Sequence, residues 1–359
     1  MAGVYISYPF CAQKCTYCNF ASGVFPRELE PRYLDALRTE LHNTEWPWTP
    51  ETVYLGGGTP SLIEPEALSG LLSAIPGGLW QEATMEAAPG GITPDKAAAW
   101  RRAGINRVSL GVQSFNTREL ARTGRKHTAE VVECEVAVLR AAGIGNFNID
   151  LIAGLPGQTL ESWNQSLDWV VSLNAPHVSV YMLEIDQDSR LGAEVMAFGK
   201  RYGATEIPPD DQIADFYEIA VDHLARAGIA RYEISNFARP GFESRHNMKY
   251  WRREAYLGFG ADAHSFDGEW RWQNPESIED YLRGSNPERT PAEPIAERFF
   301  LGLRLSEGIA GDWSPFQSAI ERGIRDGLLE TEGNRVRLTS RGVLLSNEVF
   351  AEFVGAPAT

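Results

Sequence analysis

Short runs of β-branched residues alternate with longer amphipathic runs through roughly the first 230 residues, and no other feature constrains the fold as tightly. Extended runs at 4–7, 52–55, 84–86, 107–111, 146–152 and 177–181 are separated by helical patterns at 30–43, 64–74, 94–103, 129–142, 160–173 and 210–227. Strands joined by helix-length connections pair in parallel, because a tight turn cannot return the chain to the same end of a sheet. Three helical patterns end in the same way, at Ala103-Gly104-Ile105, Ala142-Gly143-Ile144 and Ala227-Gly228-Ile229. Glycine takes the left-handed position after a helix, and the isoleucine opens the next extended segment. About six βα units are expected to form an incomplete barrel, an α/β fold with ligands at the carboxyl ends of its strands.

The texture changes near Pro287. Helical patterns at 299–305 and 315–323 precede two short extended runs around Gly333-Asn334, and another helical run covers 340–353. Residues 1–230 are therefore expected to form the barrel, 231–286 a linking region, and 287–359 a small winged-helix-like domain. Winged helices often bind DNA, but the formal charge of −15 repels phosphate. A covering or docking role fits better. No run of about 18 apolar residues is present, and the N-terminus lacks a basic segment followed by an apolar one. With cysteine scarce and clustered, a reducing, cytoplasmic location is expected.

Three of the four cysteines, Cys11, Cys15 and Cys18, lie in CAQKCTYC directly after the first extended run. Structural zinc is normally closed by four ligands in two separated pairs, and no evident fourth ligand stands nearby. Buried structural cysteines would not cluster on a loop carrying Gln13, Lys14 and Thr16. Three thiolates suit a cubane iron–sulfur cluster with one iron left without a protein ligand. Cys134, inside a helical pattern, is expected to serve packing.

Other candidates sit at the strand ends. Gly56-Gly57-Gly58-Thr59-Pro60 follows the second strand, where bare backbone can approach a ligand. Glu86 ends the third, Gln113 follows the fourth, and Arg125 lies in Gly124-Arg125-Lys126-His127. Asp150 interrupts an apolar strand and is costly to bury unless paired or bound to a ligand.

At the cysteine loop the chain resembles the radical S-adenosylmethionine (SAM) superfamily. That resemblance implies a [4Fe-4S] cluster on Cys11, Cys15 and Cys18, with SAM on the open iron, Tyr17 over the adenine and the glycine run near the SAM amino group. Further segments, among them LGGGTPS, SLGVQSFN, NIDLIAGLPGQT and GFGADAHSF, resemble the HemN/HemW group of coproporphyrinogen III oxidases and haem chaperones. By motif, Tyr5, Gly57 and Glu86 match residues around the cluster-bound SAM. Gly58, Thr59, Gln113, Arg125 and Asp150 match those around a second SAM in the oxidase, and Glu184 and His264 fall at further SAM positions. Ala88, where many relatives have Asn, and the stretch Leu183–Asp188 depart from the group's pattern.

Three features favour the chaperone branch: Phe20 where the oxidase has another cysteine, a short segment before the first strand, and His246-Asn247-Met248-Lys249-Tyr250-Trp251, the HNxxYW motif. An imidazole can ligate haem iron, and aromatic rings can cover a porphyrin face. Arg245, Lys249, Arg252 and Arg253 offer cations for propionates. His246 is the expected axial ligand, with His264 as competitor. The resemblance thus implies haem, a haem-acceptor protein as partner and a possible homodimer. The alternative is an oxygen-independent coproporphyrinogen III oxidase.

Overall fold

The computed structural model describes residues 2–284 and 287–354. Six parallel strands, β1 (Ala2–Tyr8), β2 (Thr52–Gly57), β3 (Glu82–Ala87), β4 (Arg107–Gln113), β5 (Asn146–Ala153) and β6 (His177–Met182), lie side by side in chain order. Helices connect each to the next, as the alternation requires. The three Ala-Gly-Ile stops behave alike: Gly104, Gly143 and Gly228 have φ of 106°, 81° and 76°. The following isoleucine N–H reaches back to Trp100, Leu139 and Leu224, satisfying a carbonyl the ended helix leaves open.

One face of these strands is apolar. Val4, Ile6, Val53, Leu55, Met85, Val108, Leu110, Ile149, Leu151 and Val178 are fully buried beneath the helices. The alternate positions are not: Tyr5, Thr52, Tyr54, Glu82, Thr84, Glu86, Arg107, Ser109, Asn148, Asp150, His177 and Ser179 share the other face. Parallel sheets are usually apolar on both sides. This one curves around a polar interior.

The sheet does not stop near residue 230. β7 (Ala230–Arg231) and β8 (Asn236–Ala238) extend it antiparallel beyond β6. On the other edge β9 (Ala255–Phe259) pairs parallel with β1, followed by β10 (His264–Phe266), β11 (Trp270–Gln273) and β12 (Thr290–Pro291). The segment expected to link two domains is thus woven into the sheet. Its strands are short, and their partners are remote in sequence, so local periodicity does not reveal them.

The last unit packs helix Pro294–Gly302 and helix Gln317–Arg325 with a three-stranded sheet. That sheet is β13 (Ile309–Ala310), β14 (Leu329–Glu332) and β15 (Arg335–Leu338), with Gly333 in the left-handed region at the hairpin turn. Phe299, Phe316 and Phe353 form its aromatic core, with ring centroids 4.9–5.3 Å apart. The terminal helical run is broken at Leu345 into Ser340–Leu344 and Ser346–Ala351. Across the junction the Arg304 guanidinium lies 4.3 Å from the Trp251 ring centroid.

Candidate functional site: a cysteine loop and an aromatic cavity

β1 ends at Tyr8, and the cysteine loop follows at the carboxyl end of the strands. Backbone bonds tie the loop to its surroundings: Cys11 N–H to Gly23 O, Thr16 N–H to Thr123 O, and Leu191 N–H to Thr16 O. The three cysteines are half-buried and free. Burial pushes the Cys11 thiol up, while the Thr59 and Ser22 hydroxyls pull it back. Arg125 Nε donates to Cys15 Sγ at 3.1 Å. No three donor side chains among the described residues converge tightly enough for a single ion. In a cubane each thiolate takes its own iron, so the three sulfurs stand apart. A set of free thiols on one loop, with a guanidinium donating to one sulfur, fits such a cluster.

The glycine run lies against this loop. Gly58 N–H donates to Tyr8 O at 2.7 Å and Thr59 N–H to Phe10 O at 2.9 Å. A Cβ on Gly58 would stand 2.6 Å from Phe10 O, so only glycine lets the two backbones approach. Glu86 accepts from Tyr54 Oη at 2.9 Å and from the Gly57 N–H. Burial, and then the nearby Asp150, push its carboxyl up to about 7. Asp150 is likewise raised by burial, against bonds from Ser179, Asn148 and Ser109. Gln113 holds φ of 71°, costly for a residue with a side chain, where the β4–β5 register shifts. Its amide and the Arg125 guanidinium both border Gly111. Gly57, Gly58, Thr59, Glu86 and Gln113 lie at or just past the carboxyl ends of their strands, Arg125 stands at the Cys15 sulfur beside Tyr17, and Asp150 sits within β5, facing the same interior as Glu86. Glu184 stands exposed just beyond β6.

A cavity of about 590 Å³ opens beside β1, between the inner face of β9 and β10 and the helix Pro294–Gly302. Tyr5 borders it and stacks on Tyr54 at 6.1 Å, the residue that bonds Glu86, so Tyr5 joins the two regions. Tyr250, Trp251, Tyr256, Phe266 and Phe300 supply aromatic wall. Arg253 and Arg271 also line it, both paired with Glu297 at 2.6 Å. Burial would raise Glu297, but the two guanidinium groups override it and hold the carboxyl down to about 2. His264 lines the cavity as well, and its side chain is exposed.

The HNxxYW segment divides between two environments. Helix Arg245–Trp251 sits at the amino-terminal ends of β1–β3, where the Glu82 carboxylate accepts from the Arg245 and His246 N–H groups at 3.0 Å. His246 is 1% exposed. Its Nδ1 lies 2.9 Å from Thr52 Oγ1 and its Nε2 2.7 Å from Tyr250 Oη. Burial, then Lys249 and Arg107, push its pKa down to about 3, so the ring is neutral. Lys249 is buried between Glu51 and Glu254. Arg245 reaches Gln81 and Arg252 reaches Glu307, leaving Arg253 alone of the four expected cations on the cavity wall.

Elsewhere, His127 turns to Val112 O, and His177 is buried between Asn148 and Tyr232. Cys134 is exposed rather than packed. Sequence reasoning missed Arg107 and Tyr54 inside the barrel, although polar residues alternating through parallel strands were a visible signal. It also missed Tyr256, Arg271 and Glu297, because β9 and β11 were not recognised as strands.

This fold and its cysteine loop are those of a radical SAM protein, with the same overall fold as coproporphyrinogen III oxidase (HemN). The radical SAM superfamily model matches residues 5–170, and the HemN C-terminal domain model matches 290–345. The structure superposes on Escherichia coli coproporphyrinogen III oxidase (HemN) with a TM-score of 0.84, covering 99% of this chain and 90% of that one, at 23% identity. In sequence the chain is 35% identical to the haem chaperone HemW of Lactococcus lactis, over 98% of this chain and 96% of that protein. It is 35% identical to HemW of Bacillus subtilis over 99% and 100%. The chain belongs to the HemW family. None of the described helices is long and apolar enough to cross a membrane.

Proposed function

We propose that this protein is a haem chaperone that holds haem and passes it to an acceptor protein, on a scaffold carrying a [4Fe-4S] cluster and SAM. The observation that carries the reading is the cavity, which has aromatic walls and two arginines, in a chain alike over nearly its whole length to haem chaperones. Broad rings suit a flat apolar macrocycle, and guanidinium groups suit its carboxylates.

Cys11, Cys15 and Cys18 would hold the cluster, which when bound supplies one-electron chemistry beside the sulfonium. Arg125 stabilises negative charge on the Cys15 sulfur by its Nε–H. Tyr5, Gly57 and Glu86 would meet the SAM on the cluster, with Tyr17 over its adenine. Glu86, pushed up to about 7, exchanges its proton near neutral pH, and a ligand hydroxyl or ammonium beside it would favour the ionised form. Gly58, Thr59, Gln113, Arg125 and Asp150 border the space a second SAM would take, and Glu184 and His264 lie further out.

The test has two arms. Cluster-loaded protein, kept anaerobic, is given haem and then an apo-haem protein, and haem transfer is followed by the Soret shift. The same protein, reduced, is given SAM and coproporphyrinogen III. Transfer without protoporphyrinogen formation supports the chaperone. Protoporphyrinogen formation without haem uptake makes the protein an oxidase instead.

A further inference from the structure

We propose that Glu119 is a positioning residue for the cysteine loop: its buried carboxylate clamps helix Thr117–Thr123 to the ends of β4 and β5, and so aims Arg125 at the Cys15 sulfur. The assignment rests on the cluster reading above and goes beyond it, to a residue that touches none of the three cysteines.

Glu119 is 1% exposed. Two arginines of the same helix, Arg118 and Arg122, turn to Glu206 instead, and no cation pairs with Glu119 among the described residues. A buried carboxylate without a cation is costly, and an apolar side chain of similar size often serves stability as well or better. What the carboxylate does is bring donors from two parts of the sheet to one atom. Ser114 Oγ, just past β4, donates to Glu119 Oε2 at 2.6 Å, and Gln158 Nε2, in the loop after β5, donates to the same oxygen at 3.3 Å. Both donors are buried, and both are themselves fixed. Ser114 Oγ accepts from the Asn116 N–H at 2.9 Å, while Gln158 donates to Ile152 O and accepts from the Gly154 N–H. The other carboxylate oxygen, Oε1, has no partner, so the hold rests on Oε2.

The far end of the clamped helix meets the cysteine loop. Thr123 O accepts from the Thr16 N–H at 3.2 Å and Arg122 O from Thr16 Oγ1 at 3.2 Å, so the residue between Cys15 and Tyr17 hangs on this helix. Gly124 ends the helix at φ of 85°, close enough to the loop that a Cβ there would stand 2.6 Å from Gln13 Nε2. The Arg125 N–H then reaches back to Leu120 O at 2.8 Å, which fixes the backbone from which the guanidinium meets Cys15 Sγ at 3.1 Å. A helix of seven residues is too short to hold itself, so its seat on the sheet decides where its last turn points. On the near side the clamp grips the chain immediately after Gln113, whose φ of 71° persists only while its neighbours hold it.

The experiment compares anaerobic, cluster-loaded wild type with Glu119→Leu, Glu119→Gln, Arg125→Gln and the double variant carrying Glu119→Leu and Arg125→Gln. The rate at which a chelator strips iron is read beside the electron paramagnetic resonance of the reduced cluster, with circular dichroism as the check on folding. Glu119→Leu should lose iron roughly tenfold faster than wild type and shift the cluster resonance. Glutamine keeps an acceptor oxygen for both donors but puts an amide nitrogen where Oε1 has no partner. Glu119→Gln should therefore unfold more easily in urea yet retain iron like wild type, whereas a merely structural role would move both readouts together. In the Arg125→Gln background, Glu119→Leu should change the rate by less than about twofold, because the two residues act in series. Should Glu119→Leu fail to fold, Ser114→Ala removes one of the two donors and carries the same test, with a smaller acceleration that also vanishes without Arg125. Unchanged iron loss in the natively folded variant, or an acceleration as large without Arg125 as with it, overturns the assignment and leaves the cluster reading standing. A wild type that takes up no cubane cluster overturns both.

Discussion

Acid should destabilise this protein partly through His246, and the size of the effect follows from the site. The ring is neutral in place because burial, then Lys249 and Arg107, hold its pKa to about 3 against an ordinary 6.5. Tyr54 stacks near it and Tyr250 and Thr52 bond it, so none of these contacts offers a charge that would favour the cation. Below pH 6.5 the unfolded chain takes up a proton that the folded one refuses. Stability is therefore lost as pH falls from 6.5 toward 3. Between pH 7.5 and 5 the loss amounts to about 2 kcal/mol. Glu86 acts in the opposite sense: raised from 4.5 to about 7, it favours the folded state at low pH and loses that contribution as pH rises through 7. The wild-type curve mixes the two, but the difference between wild type and His246→Gln does not, since Glu86 and the buried His177 are common to both. Glutamine can bond the same hydroxyls without titrating. Urea unfolding of both proteins at pH 7.5 and pH 5 measures the effect. The wild type should lose about 2 kcal/mol more than the variant on acidification. Equal losses, within a few tenths of a kcal/mol, would show that His246 titrates normally and is not sealed as described.

Three further outcomes are expected. Gly58→Ala forces a methyl against Phe10 O and Pro9 C at 2.6 and 2.8 Å, both backbone atoms that must shift; overpacking of this kind costs about 1–3 kcal/mol, and iron and sulfide content after reconstitution should fall while circular dichroism stays native. Arg125→Gln removes the donor to Cys15 Sγ, a charged bond worth about 1.5–3 kcal/mol; a chelator should strip iron from the variant at least several-fold faster than from wild type. Glu86→Gln removes a carboxyl that titrates near 7. SAM affinity of the wild type, measured by calorimetry, should rise with pH through that value, and the variant should show a weaker and flat profile.

Much of the barrel is legible without coordinates. The six parallel strands and their helices follow from periodicity, because each element is stabilised by contacts a few residues apart or by one apolar face. The cysteine loop is legible for the same reason: three thiols in eight residues are collected by the chain itself. The glycine run beside it, Glu86 near the end of its strand and Asp150 inside the next but one follow once the strands are counted.

What the chain does with His246 and His264 is a different matter. Both are histidines near aromatics in one stretch of sequence, and the motif puts His246 first without showing which of the two is buried. Parallel pairing of β9 with β1 puts the HNxxYW helix against Thr52 and Glu82, 194 and 164 residues from His246, and buries the first histidine there. The antiparallel return of β10 leaves the second on the cavity face. Sequence alone settled the six βα units and where the thiols gather, since those depend on neighbours along the chain. Tertiary structure alone decided which imidazole is sealed and which is open, because that depends on strands meeting from opposite ends of the polypeptide.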